Sequence, residues 1–459
     1  MIIAAMIALA TFLSCNNDVK KVKTFIVTFD ANNGSAVITQ SVNEGEKAKK
    51  PENDPVREGY LFTGWFHEGD RWVFNTVVTS DILLIAKWIE EEKEEEPNDT
   101  WGKYLVRDDL TTQALIQEMG LGINLGNTLE ACGDWIAQWT SNRLQDYETA
   151  WGSPVVTEKM IAGYANAGFS SLRIPVHWSN KMLPNDVIYP ELMTRVEQIV
   201  NWTIDNGMVA VINTHHENEW ITKYPDEPEA MKKFDAIWTQ VSEHFRDYGD
   251  RLMFEPMNEV GFDAIWTPWS GGATAKQQAF GYVNDLNQRF VDVVRASGGN
   301  NAKRHLLIEV YNTGLEYAYD PLFKMPNDPA NRLAATVHYY TPAIFAILEE
   351  DADWGKARTT WGTTADYKEL NDNMDNLKKN CVDKGIPIIV GEYAACGKNK
   401  TQEMKRLYAV AVTEAVYSRG MCPMLWDTPG DQYNRDTYKF NDPEFIKAFG
   451  AIKTKYQHP

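Results

Sequence analysis

Residues 208–218 read M-V-A-V-I-N-T-H-H-E-N, residues 252–260 read L-M-F-E-P-M-N-E-V, and residues 387–394 read P-I-I-V-G-E-Y-A. Each is a short apolar run that breaks into His, Asn, Glu or Tyr at its end. A run of four to eight apolar residues with no alternation reads as a strand buried on both faces, which belongs to a parallel sheet with helical crossovers. Working outward, the same pattern recurs near Gly120–Asn124, Ser171–Pro175, His305–Val310, Ala334–His338 and Met421–Trp426. Amphipathic segments lie between the runs: Glu158–Ala167, Leu192–Asn206, Met231–Tyr248, Ala279–Ala296, Leu370–Lys384 and Glu403–Ser418. Eight buried strands in about 350 residues is the count of a (β/α)8 TIM barrel, in the α/β class. A doubly wound sheet is the alternative, but no G-x-G-x-x-G follows an early strand.

In such a barrel, polar residues at the C-terminal strand ends are the catalytic candidates. The second run ends L-R-I-P-V-H-W, the third I-N-T-H-H-E-N and the fourth F-E-P-M-N-E-V. The sixth ends V-H-Y-Y-T-P, the seventh I-I-V-G-E-Y-A and the eighth M-L-W-D-T-P. Glu259 and Glu392 fall on the fourth and seventh, across the barrel mouth from each other. Two carboxyls over one bond, one protonated and one ionised, are what glycoside hydrolysis requires. Around them Arg173 is placed to hold Glu392 ionised, Tyr340 to hydrogen-bond it, and Asn258, His215 and His338 to bind hydroxyls. Trp426 offers a flat face to a sugar ring. Neither H-E-x-x-H nor C-x-x-C occurs, and neighbouring strand residues such as His215 and His216 point to opposite faces, so no metal and no cofactor is expected. No G-x-S-x-G offers a serine nucleophile.

G-I-N-L-G-N-T-L-E (122–130), E-T-A-W-G-S-P (148–154), L-R-I-P-V-H-W, H-H, M-N-E, H-Y-Y-T-P, V-G-E-Y and L-W-D together resemble glycoside hydrolase family 5, most closely its subfamily 4, from about Met119 onward. The resemblance implies a retaining endo-β-1,4-glucanase acting on cellulose-type, mixed-linkage or xyloglucan polysaccharide. It implies Glu259 as acid/base, Glu392 as nucleophile, and Arg173, His215, His216, Asn258, His338, Tyr340 and Trp426 as the substrate-contacting shell. A mannanase on the same fold and a non-catalytic glycan-binding protein are the alternatives. The chain departs from the family where Val260 replaces a usual Pro, Tyr393 a frequent Phe, and Ile123 and Leu425 frequent tryptophans. The last two lead us to expect an altered sugar-stacking surface.

Residues 22–89 change character. V-K-T-F-I-V-T-F-D (22–30), A-V-I-T-Q-S-V (36–42) and I-L-L-I-A-K-W (82–88) alternate as strands, with turn signals at Asn33-Gly34 and Glu58-Gly59. T-F-D-A-N-N-G, P-V-R-E-G-Y-L-F-T-G-W-F and L-L-I-A-K-W resemble the internalin-type B repeat, the Listeria–Bacteroides repeat, which implies a spacer or adhesion module. Residues 90–100 open with E-E-E-K-E-E-E and read as an exposed linker, leaving 101–459 as the hydrolase domain.

The net charge of −19 argues against nucleic acid as a partner, and no obligate protein partner is evident. The 16 Trp, 20 Tyr and 18 Phe read first as a big core with some aromatic rims, with stacking of part of that surface on sugar rings as the sharper alternative. Residues 1–15, M-I-I-A-A-M-I-A-L-A-T-F-L-S-C, are too short an apolar run for a permanent span and resemble a lipoprotein signal with Leu13-Ser14-Cys15 as lipobox. The resemblance implies lipidation at Cys15 and an exported protein at a bacterial cell surface or outer membrane; plain secretion is the alternative.

Overall fold

The computed structural model describes residues 23–90, 101–224 and 226–456; Cys15 and nearly all of the acidic stretch lie outside them. The chain divides into two compact units, residues 1–98 and 99–459.

In the first unit, five strands form one sheet in the order 38–43, 24–30, 82–90, 60–67, 70–71. Thr24–Asp30 runs parallel to Ile82–Glu90, and Tyr60–His67 runs antiparallel to it. Alternation sends Phe25, Val27, Phe29, Leu84 and Ala86 to one buried face, where Val42 and Trp65 join them. Tyr60–His67 carries the G-Y-L-F-T-G-W-F signature, which the sequence reading treated as a motif without assigning it a strand. Glu90, read as the first linker residue, ends the last strand.

The second unit is a closed barrel of eight parallel strands. We label them β1 (Gly122–Asn124), β2 (Ser171–Ile174), β3 (Val209–Asn213), β4 (Leu252–Glu255), β5 (Leu306–Glu309), β6 (Leu333–His338), β7 (Ile388–Tyr393) and β8 (Cys422–Leu425). All eight fall on the runs expected from sequence. The six amphipathic segments are helices with shifted ends. Gly272–Ala296 begins seven positions earlier than expected, because its first turns are polar and carry no apolar stripe. Thr364–Asn380 likewise starts at a capping box of Thr363 and Asp366. Between β5 and β6 the described residues hold only 3₁₀ turns, Tyr311–Thr313 and Leu315–Tyr319.

The two-residue period of the strands builds the site. Val209, Val211, Met253, Leu307, Ala334, Ile389, Cys422 and Met424 form one buried cluster with helix Thr112–Met119. Their neighbours Ala210, Ile212, Phe254, Ile308 and Val390 belong to the shell between strands and outer helices. One step further along the inward-facing series, the chain places Asn124, Arg173, Asn213, Glu255, Glu309 and Thr336, all fully buried. The barrel is therefore apolar below and polar above.

Candidate active site

Arg173, with no exposed surface, is the hub of that polar layer. Its Nε donates to Glu255 Oε2 (2.6 Å), and its Nη1 donates to Glu392 Oε1 (2.7 Å) and Asn124 Oδ1 (3.0 Å). Its Nη2 donates to Asn258 Oδ1 (2.6 Å). The second oxygen of Glu392 accepts from Tyr340 Oη at 3.0 Å.

Glu392 reaches the interior through a bulge. Val337 pairs with Val390, yet His338 pairs with Glu392, so Gly391 is skipped. A Cβ at 391 would lie 2.6 Å from Thr336 Oγ1 and 3.3 Å from His338 Nε2, which only glycine avoids. Asn124 Nδ2 donates to the Gly391 carbonyl at 2.9 Å. The strand had been expected to end at Val390; the bulge carries it to Tyr393.

Glu259 follows β4 in a left-handed conformation, φ +52°. Its peptide is held on three sides. Asn218 Nδ2 donates to the Glu259 carbonyl (2.8 Å), the Val260 N–H donates to Glu309 Oε1 (2.5 Å), and the Asn312 N–H donates to the Val260 carbonyl (2.9 Å). The Glu259 side chain is 45% exposed, against 6% for Glu392. His338 bridges the two: its Nδ1 lies 2.7 Å from Glu259 Oε1 and 3.7 Å from Glu392 Oε2.

Burial pushes the Glu392 carboxyl above its usual range, against the pull of His338 and Arg173. Burial acts the same way on Glu259, but the His338 hydrogen bond, with the charges of His338 and Arg173, outweighs it and holds that carboxyl below its usual range. At His338 burial works against the imidazolium, yet the charges of Glu392 and Glu259 hold the ring above its ordinary value. These directions favour the proton on His338 over Glu259. One ligand atom from each of the three lies within 4.8 Å of the others, the spacing that would also suit a metal ion.

On the opposite side Trp426 lies flat against His215, centroids 5.8 Å apart and planes 10° apart. Gly126 permits this, since a Cβ there would come within 2.9 Å of the indole. His215 is buried and its Nδ1 accepts from Asn213 Nδ2 (3.1 Å); burial, then the charge of His216, keeps it well below its ordinary pKa. β3 has already ended at Asn213, so His215 and His216 do not point to opposite faces of a strand; their rings meet edge to face at 4.4 Å, and His216 also touches Trp151. Ile123 and Leu425 face the outer helices in the shell cluster. The lost tryptophans therefore change packing behind the strands and not the sugar surface, contrary to expectation. Tyr393 is buried too, and its hydroxyl meets Thr413 Oγ1 at 2.6 Å.

All nine sequence-nominated residues thus gather at the C-terminal mouth of the barrel. Sequence reading missed Asn124, Glu255, Glu309 and Trp151 as parts of the site. Glu255 and Glu309 were signalled: each is an acidic residue closing a buried strand, in F-E-P and I-E-V.

Over residues 130–432 the chain matches the family described as Cellulase (glycosyl hydrolase family 5). The chain belongs to glycosyl hydrolase family 5. Its residues 25–87 match the Listeria-Bacteroides repeat domain. Endoglucanase B of Clostridium cellulovorans is 33% identical over 363 residues, covering 76% of this chain and 78% of that protein. Endoglucanase A of Clostridium longisporum is 34% identical over 322 residues, covering 70% of this chain but only 60% of that protein. Among solved structures, a GH5-4 broad-specificity endoglucanase from an uncultured bovine rumen ciliate superposes with TM-score 0.68 at 34% identity, covering 75% of this chain and 99% of that one. A glycoside hydrolase 5 lichenase from Caldicellulosiruptor sp. F32, in complex with cellotetraose, gives TM-score 0.69 at 29% identity, covering 78% and 98%. The family 5 barrel is that of an endo-β-1,4-glucanase, a glycoside hydrolase acting on glucan polysaccharide.

Proposed function

We propose that this family 5 barrel cleaves internal β-1,4 bonds with retention of configuration, with Glu392 as nucleophile and Glu259 as acid/base. The observation that carries this reading is the approach of the two carboxyls to within 4.8 Å across His338. Retaining enzymes hold their carboxyls about 5–5.5 Å apart, whereas inverting ones leave about 6.5–9.5 Å for a water.

Glu392 attacks the anomeric carbon as the bond from that carbon to the leaving oxygen breaks, and the Glu259 proton goes to that oxygen. A bound glucan covers the exposed Glu259 and removes water from it. That desolvation raises its carboxyl pKa, so the His338 proton passes to it along the 2.7 Å contact. Water then attacks the glycosyl-enzyme, Glu259 takes its proton, and Glu392 leaves. Arg173 and Tyr340 bear the returning charge. Asn258, whose Oδ1 accepts from Arg173, has its amide N–H groups for the sugar 2-OH, while His215, His216 and Trp426 receive the neighbouring ring.

The substrates are cellulose-type, mixed-linkage and xyloglucan backbones. The lichenase and broad-specificity relatives support that range over a mannan. Cys15 carries a lipid anchor that keeps the enzyme at the cell surface, and the repeat acts as a spacer without chemistry of its own. Cys15→Ala should release the enzyme from membranes, and an unmodified N-terminus elsewhere by mass spectrometry would leave plain secretion.

The two carboxylates should fail differently. Glu259→Ala should lose roughly 10²–10⁴ on glucan, yet still form the glycosyl-enzyme from an activated aryl glycoside and give a retained product with azide. Glu392→Ala should lose both substrates, and azide should give an inverted product. If wild-type product is inverted, or the two variants behave alike, the assignment fails.

A further inference from the structure

Glu309 closes β5 with no exposed surface and no ion-pair partner among the described residues. Its backbone is locked to Asn287 of helix Gly272–Ala296: the Glu309 N–H donates to Asn287 Oδ1 (3.2 Å), and Asn287 Nδ2 donates to the Glu309 carbonyl (2.8 Å). Its side chain leaves the strand to reach a single backbone group, the Val260 N–H, at 2.5 Å. That N–H belongs to the peptide joining Val260 to Glu259, whose φ of +52° is a conformation L residues rarely adopt.

We propose that Glu309 is a positioning residue: by accepting the Val260 N–H, its carboxyl holds the Glu259 backbone in the left-handed conformation and so aims the acid/base at the glycosidic oxygen. The proposal rests on the role of Glu259 stated above.

Three features support it. A non-glycine residue held in that region is strained and persists only where its surroundings fix it. Here Asn218, Glu309 and Asn312 fix consecutive groups of one peptide unit and its neighbour, and Glu309 is the one carboxyl among them. The charge state also fits. Burial, against the pull of the Val260 hydrogen bond and with the nearby charges of Glu255 and Glu259, drives Glu309 well above the usual carboxyl range, which favours the uncharged form under Glu259. Finally, the arrangement depends on Val260. A proline there has no N–H to donate and disfavours an α-type conformation at the preceding residue. The contact with Glu309 is therefore open to this chain only because residue 260 carries an N–H.

The test compares Glu309→Leu and Glu309→Gln on barley glucan and on a dinitrophenyl cellobioside, with Glu259→Ala alongside. A displaced acid harms only leaving groups that need a proton. Glu309→Leu should lose roughly 10²-fold in kcat on glucan, the scale of a 1 Å misplacement, while the dinitrophenolate burst stays within a few-fold of wild type. Glu309→Gln keeps an oxygen to accept the N–H and should recover glucan activity to within roughly threefold of wild type. Equal losses of Glu309→Leu on both substrates, or no rescue by Gln in a protein that melts normally, would overturn the proposal. If Glu259→Ala itself shows no dependence on leaving group, the acid/base reading fails first and the positioning role falls with it.

Discussion

His338 pairs across the sheet with Glu392 and not with Gly391, although one step earlier Val337 pairs with Val390. That one-residue slip turns Glu392 from the outward-facing series into the barrel, beside Arg173 and Tyr340. The nucleophile's direction is thus a property of the bulge and not of strand alternation.

Gly391→Ala tests this directly. The added methyl meets Thr336 Oγ1 at 2.6 Å, and Thr336 is buried on a strand that cannot retreat. Overpacking of this kind typically lowers stability by about 1–3 kcal/mol. We expect a folded protein with a lower melting temperature and at least a tenfold loss of kcat, roughly the effect of a sub-ångström shift. A variant with wild-type kcat would show that the bulge tolerates a side chain and does not set the nucleophile.

The strands were legible because each is a short, mostly apolar run, and the site because polar residues close six of those runs. Helix starts were less legible: Gly272–Ala296 opens with polar turns that carry no apolar period. The inward direction of Glu392 was not legible at all, since strict alternation predicts Gly391 there. Glu255 and Glu309 were overlooked because a lone acid at a strand end looks the same whether solvated or buried; only closure of the barrel puts both against Arg173 and the Glu259 peptide. Ile123 and Leu425 misled in the opposite sense, because the parity of β1 and β8 turns them to the outer helices.

Arg173→Met should be the most damaging of the site substitutions for stability. It leaves Glu255 and Glu392 buried without their cation, a loss of about 3–5 kcal/mol for a broken buried pair. Arg173→Lys should recover part of the stability but little activity, since one ammonium cannot serve four acceptors in a plane. Thermal unfolding beside kcat would separate these; a stable Arg173→Met protein would contradict the hub role.

Trp426→Ala should hurt turnover more than folding. The ring is half-buried and lies against His215 at the mouth, so its loss removes a sugar platform while leaving the core cluster intact. Circular dichroism and kinetics on cello-oligosaccharides check it. Unfolding at ordinary temperature would mean the ring is chiefly structural.

Stability should fall as pH rises through the weakly acidic range. Burial pushes Glu130 up to about 7 in the folded barrel, against the pull of hydrogen bonds from the Thr128 and Asn127 N–H groups. A carboxyl whose folded pKa exceeds its unfolded one binds a proton more tightly when folded. Its stabilising contribution is full below the ordinary value near 4.5 and is lost as pH climbs to about 7. The effect is on the order of 3 kcal/mol for this one group. Glu130→Gln should flatten the fall of melting temperature between those pH values; an unchanged slope would exclude Glu130 as its source.

Activity should show both limbs displaced upward in pH. On the acid side Glu392 must be ionised, and burial holds its carboxyl above 4.5, so kcat/KM should drop at a pH above that value as the solution is acidified. On the alkaline side the Glu259–His338 pair must keep one proton. His338, raised above 6.5 by Glu392 and Glu259, stores it, so the alkaline limb should lie above that ordinary value. His338→Gln removes the store and frees Glu259 from the partner that holds it low. Glu259 must then carry the proton at its own, carboxyl-range pKa, and the alkaline limb should move toward acid while the acid limb, set by Glu392, moves less. An alkaline limb unchanged in His338→Gln would mean that some other group supplies the proton to Glu259.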